Sequence, residues 1–129
     1  MDCDWPPVCR WEVENACAIL FKKVWEIEET NPIVRGTFFR WDKEGHLHSI
    51  RESGWFHFTR EIIFSNTEPC TANRFIELAE SQGGLQTILK KAHGLIADDL
   101  YRFERAVFNV FGEHEFDVDF GYRMRVGMK

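Results

Sequence analysis

Between Phe116 and Val126 the chain reads FDVDFGYRMRV, with Phe116, Val118, Phe120, Tyr122, Met124 and Val126 at every second position and Asp117, Asp119, Arg123 and Arg125 among the residues between them. Side chains alternate across a strand, so this period of two sends the apolar groups to one face and the charges to the other. A lone strand is not stable in water, so this segment must join a sheet whose apolar face is covered by other elements.

The remaining segments supply both needs. Val13, Cys17, Leu20, Phe21, Val24 and Ile27 recur at helical spacing after Pro6 and Pro7, which suit a first helical turn with Asp4 as its cap. Thr30-Asn31-Pro32 ends that helix, because the residue before a proline is pushed out of the helical region. From Ile33 to Phe64 the period changes to two. Asp42-Lys43-Glu44-Gly45 reads as a type I turn with glycine in the left-handed position, and Ser53-Gly54 as a second turn. The spacing predicts strands over 33–41, 46–51 and 55–64.

Thr67 before Pro69 reads as a helix start, with Phe75, Ile76, Leu78 and Ala79 as its buried stripe and Gly83-Gly84 as its stop. From Leu85 to Val110 the apolar residues hold one helical phase, which predicts a long helix over 85–111 ending at Gly112. Gly94 costs that helix about 1 kcal/mol relative to Ala and marks where a break would fall. The expected fold is α+β, with elements in the order α-β-β-β-α-α-β, a four-stranded antiparallel sheet and helices packed on one face. At 129 residues the chain fits one domain, 1–129.

Within the predicted meander, a two-residue loop of Glu52 and Ser53 sets His48 opposite His57 and His46 opposite Thr59. The three imidazoles then share a face with Phe38, Arg40, Ile50, Trp55, Glu61 and Ile63. The reverse face carries Phe39, Trp41, Leu47, Phe56, Phe58, Ile62 and Phe64, which form the expected core. A surface mixing Trp55, Phe38 and Ile50 with Arg40, His48 and His57 has the composition of a binding or self-association site. Asp117 and Asp119 extend it if the last strand joins the sheet alongside. Plain solvation of three exposed histidines is the simpler account. A metal site of His46, His48 and His57 is the alternative that cross-strand spacing allows.

HLHSIRE has the form H-x-H-x-x-x-E and resembles the core of the first cupin metal motif. The resemblance spans seven residues, without the flanking glycines or a second motif downstream, so the cupin fold and activity are not carried over. Phosphate-cradling glycine loops, G-x-S-x-G, H-E-x-x-H and a dinucleotide fingerprint do not occur in the sequence. Cys3, Cys9, Cys17 and Cys70 lack the paired spacing of a zinc site and read as reduced, mostly packed thiols. Cys70, expected in the first turn of the second helix with His57 as the nearest base, reads as structural rather than nucleophilic.

A net charge of −5 provides no basic surplus for phosphates or an anionic membrane. Neither nucleic acid nor a membrane is an expected partner. The first residues, MDCDWPPVCRWE, lack the basic and apolar regions of a secretory signal, and the expected location is cytoplasmic. The expected function is that of a small non-catalytic interaction protein, antitoxin-, immunity- or accessory-like, that uses an open aromatic and histidine-rich sheet face without a cofactor. Its partner is another protein or a second copy in a homodimer. The rival expectation is a small-ligand-binding or metal-dependent enzyme centred on His46, His48 and His57.

Overall fold

A computed structural model describes residues 1–37 and 41–129. Its elements, in chain order, are β1 (Asp2–Cys3), α1 (Trp11–Thr30), α2 (His46–Glu52), β2 (Phe58–Cys70), α3 (Ala72–Glu80), α4 (Gly83–Lys91), α5 (Ala97–Phe111) and β3 (Phe116–Met128). Short 3-10 turns at Lys43–Gly45 and His93–Leu95 precede α2 and α5. The class is α+β, with a three-stranded antiparallel sheet in the order β1-β3-β2. This corrects the expected four strands.

The segment over 46–51 is helical. Asp42 accepts the Glu44 N–H at 3.1 Å, so the residue expected to open a hairpin turn caps a helical one. Gly45 has φ −75° and does not occupy the left-handed region. Leu47 and Ile50, three residues apart and both half-buried, then face the sheet together from α2. Ile33 to Thr37 is turn and bend, and Phe38, Phe39 and Arg40 lie outside the described residues.

The sheet is chiefly a long ribbon. β2 and β3 pair over all 13 residues of each, from Phe58 opposite Met128 to Cys70 opposite Phe116. β2 continues past Thr67, where a helix was expected, and α3 starts only after Thr71, whose hydroxyl accepts the Arg74 N–H at 3.2 Å. β1 adds to the other edge of β3 at Arg123 and Tyr122, and a backbone bridge between Val8 and Asp119 extends that contact. Pro6 and Pro7 lie in the bend between these two contacts, and α1 begins later than expected, at Trp11.

One contiguous buried cluster joins α1, α3, α4 and α5 to one end of the ribbon. Its sequence origin is the expected stripe on α1, with Val13, Ala16, Cys17, Leu20, Phe21, Val24 and Ile27 all buried. Phe75 sits at its centre, with ring centroids 5.8 Å from Trp5, 6.4 Å from Phe103 and 5.9 Å from Phe111. The stretch expected as one helix over 85–111 is two, because Ala92 takes φ −151° and ψ 47° between them. The break buries Ile96 and lets α5 turn Leu100, Phe103, Val107 and Phe111 onto the cluster. Among the described residues no helix is long and apolar enough to cross a membrane.

Candidate functional site

The ribbon has two faces and two halves, and they are covered differently. Even-numbered residues of β2 and β3 share one face, because Phe58 to Cys70 pair with Met128 to Phe116 in steps that preserve parity. On the inner half of this face Val118 and Phe120 are buried under the helices, and Phe111 meets Phe116 edge to face at 5.5 Å. The outer half extends past the helical body. There Phe58 is 51% exposed, Ile62 37%, Phe64 40% and Met128 58%, with Met124 and Val126 half-buried beside them. Phe64 stacks on Tyr122 at 5.3 Å, which makes the aromatic and aliphatic stripe continuous with the core.

On the odd-numbered face of the outer half, α2 and its flanks cover Thr59, Glu61, Arg125 and Gly127 but leave Ile63 exposed. Arg125, opposite Glu61 in the ladder, donates to it through Nε at 2.7 Å and to Asp2 through Nη1. Glu61, bonded and of opposite charge, raises the Arg125 guanidinium above its ordinary value. Arg123 bonds Glu44 at 3.1 Å and stands 3.4 Å from Asp4. His46 Nδ1 and Lys43 Nζ lie 3.6 and 3.9 Å from Asp2, and Arg51 donates to the Thr59 hydroxyl at 3.0 Å. Phe56 lies over Gly127, where a Cβ would come within 2.6 Å of its ring. Acidic residues from β1 and the turn before α2, together with the α2 side chains, thus strap this face to the two arginines. The helices therefore occupy both faces, with α2 opposite the rest, rather than the one face expected.

These positions redistribute the residues expected to form one surface. His46, His48 and Ile50 are on α2, where residues two apart do not face each other, so the cross-strand pairing of His48 with His57 is lost. His48 is exposed, and the backbone N–H of His57 bonds Met128 O at 2.9 Å just before β2 begins. Among the described residues no group of three His, Cys, Asp or Glu side chains is placed to hold a metal. Trp55 is exposed between α2 and β2, with the Lys129 ammonium 5.9 Å from its ring. Glu61 is engaged by Arg125. Asp117 and Asp119 project from the odd face of the inner half, Asp119 accepting from the Thr67 hydroxyl. Phe38 and Arg40 lie outside the described residues.

The expected core side chains Phe58, Ile62 and Phe64 are on the helix-bearing face as the alternation predicts, yet they are exposed because the helices stop short of them. Trp41 is exposed too, while Leu47 and Phe56 are half-buried, on the opposite side of the ribbon. Cys70 ends β2 rather than starting a helix, and burial pushes its thiol up, away from the reactive thiolate. A shallow cleft of about 220 Å³ between α1 and α5 has Ala16, Leu20 and Phe103 as its floor and Glu12, Asp99 and Arg102 at its rim. The chain matches no family model, no curated protein and no solved structure.

Proposed function

We propose that the chain is a non-catalytic protein-interaction protein, of the accessory type, and that the outer half of the β2–β3 ribbon is its binding surface. One observation carries this reading. Phe58, Ile62, Phe64 and Met128 form an apolar stripe on a two-stranded ribbon, on the face where the helices should be but beyond their reach. An apolar sheet face left to water is costly and marks an interaction site. Its surroundings favour the same reading, since the strap of Arg123, Arg125, Glu61 and Asp2 holds the ribbon rigid from behind. A rigid apolar platform loses little entropy when a partner docks.

The test uses a photo-crosslinking residue placed singly at Phe58, at Ile62 and, as a control, at Glu29 on α1, in the cells that express the protein. Both ribbon positions should yield the same crosslinked protein, and Val126→Lys should abolish it while the fold persists by circular dichroism. Equal capture from the control position, or none from either ribbon position, overturns the reading.

A further inference from the structure

Among the described residues the β2 edge of the ribbon is unpaired along its whole length, whereas β1 and Val8 pair with part of the β3 edge, and the chemistry of the β2 edge identifies an occupant. In β3, the backbones of Asp119 and Gly121 bond toward Val8 and Asp4, so the odd residues of β3 face the β1 side. Backbone groups alternate along an antiparallel strand, so the even residues of β3 bond β2. Thr59, Glu61, Ile63, Ser65, Thr67 and Pro69 of β2 therefore direct their backbone groups outward. Pro69, which has no N–H to donate, sits on this outward set, as a proline in an edge strand must. From Ile62 to Pro69 every β2 residue is exposed, so nothing described lies over this stretch of the edge, and nearer its start Arg51 bonds the Thr59 side chain rather than the backbone.

We propose that β2 pairs antiparallel with β2 of a second copy of this chain, about a two-fold axis through Phe64. The proposal rests on the interaction reading above and names the partner and its register. A two-fold axis normal to the sheet keeps like faces together, so the axis must pass through a residue rather than between two. An axis at Arg60 or at Glu61 would set like charges against each other. The axis at Phe64 is the one that sets all 13 residues of the strand opposite one another, with the Pro69–Thr59 pair at each end lacking the N–H that proline does not carry and the bonds from Glu61 to Thr67 left intact between them. It sets Arg60 opposite Glu68 of the second copy, and Glu68 opposite its Arg60. Both side chains are exposed, and Arg60 makes no ion pair with any described residue.

The same register places Phe64 against Phe64 and Phe58 against Cys70 of the second copy. Cys70 is where the helical body begins. The bare outer half of each ribbon thus lies beside the helix-bearing inner half of the other, on the same face. The apolar stripe and the open edge are completed together. The assembly also closes, since each copy has a single free β2 edge and the pairing consumes both.

Sedimentation velocity of the purified chain tests this. The wild type should be a dimer. Arg60→Glu and Glu68→Arg should each weaken it about tenfold or more, because each sets two like-charge contacts in place of two ion pairs. An equimolar mixture of the two variants should recover a dimer, since in the mixed pair every contact between positions 60 and 68 joins a glutamate to an arginine. Ser65→Pro, which removes an outward N–H without touching the β3 ladder, should give a monomer. A dimer indifferent to all three changes overturns the edge pairing. A wild-type monomer whose Ile62 crosslinks to a different protein overturns it and leaves the interaction reading standing, while a monomer without crosslinks overturns both.

Discussion

Arg125 and Glu61 face each other across the β2–β3 ladder, joined at 2.7 Å, and the Arg125 side chain is only 4% exposed because Asp2 closes over its other end. A charged side chain so enclosed must keep its partners, and here they come from the N-terminal end of the chain and from its middle. The arginine therefore ties the N-terminus to the ribbon. Arg125→Met should lower the unfolding temperature more than either Asp2→Asn or Glu61→Gln, because it strands two carboxylates, whereas each of those leaves Arg125 one carboxylate partner. Asp2→Asn should also release α2, read as faster amide hydrogen exchange over 46–52, since His46 and Lys43 lose their shared acid.

Gly127 is required by Phe56. A Cβ at this position would stand 2.6 Å from the ring, inside any real contact, and ring and backbone cannot both stay in place. Gly127→Ala should cost ~1–3 kcal/mol in denaturant unfolding. Phe56→Ala has its own cost in lost packing, but the Gly127→Ala penalty should largely disappear in that background. Additive effects in the double variant would show that the Gly127→Ala cost does not come from the Phe56 ring.

How far the sequence reveals this fold depends on the range over which each signal acts. The alternation over Phe116–Val126 and the helical stripe on α1 are local, and both elements form where that local pattern puts them. The phase of β2 is equally local, so Phe58, Ile62 and Phe64 point to the face expected. Their exposure depends on how far along the ribbon the helices reach, which is set by packing between distant segments and has no period to read. HLHSIRE misleads because histidines two apart imitate a strand. Leu47 and Ile50, three apart behind the capping Asp42, carry the helical signal. Within the candidate surface, Phe58, Ile62 and Phe64 are legible as one face of a strand. The bare stripe and the free edge are not, since both are properties of what fails to cover them.

The break between α4 and α5 separates two kinds of glycine. A Cβ added at Gly94 would meet no atom within 4 Å, and the residue does not take positive φ, so Gly94→Ala should stabilise by ~0.4–1 kcal/mol through the unfolded chain. Gly112 ends α5 at φ 57° and ψ −131°, a region side chains avoid, and Gly112→Ala should destabilise by ~1–3 kcal/mol. Opposite signs in paired thermal melts are the expected outcome, and equal signs would contradict the backbone geometry at Gly94 and Gly112.

Cys17 gives the core a dependence on alkaline pH. Burial against the α1 stripe pushes its thiol from 9.0 up to about 12, with Cys9 and Glu14 adding smaller upward contributions. In the unfolded chain the thiol ionises near its ordinary value, whereas the folded chain keeps the proton. Above pH 9 the folded state therefore binds more protons than the unfolded one, and stability falls as pH rises toward 12. The contribution is fully present below pH 9 and is lost within that window. Cys17→Ala should lower stability at pH 7 by the packing it removes, yet its unfolding free energy should decline less between pH 9 and 11 than that of the wild type. Thiol labelling offers the independent check: in the native protein the exposed Cys3 should react promptly with a thiol reagent, while Cys17 and Cys70 should react only as the chain unfolds. Prompt labelling of Cys17 in the folded state, or parallel pH profiles for variant and wild type, would mean that the thiol is not held in the core.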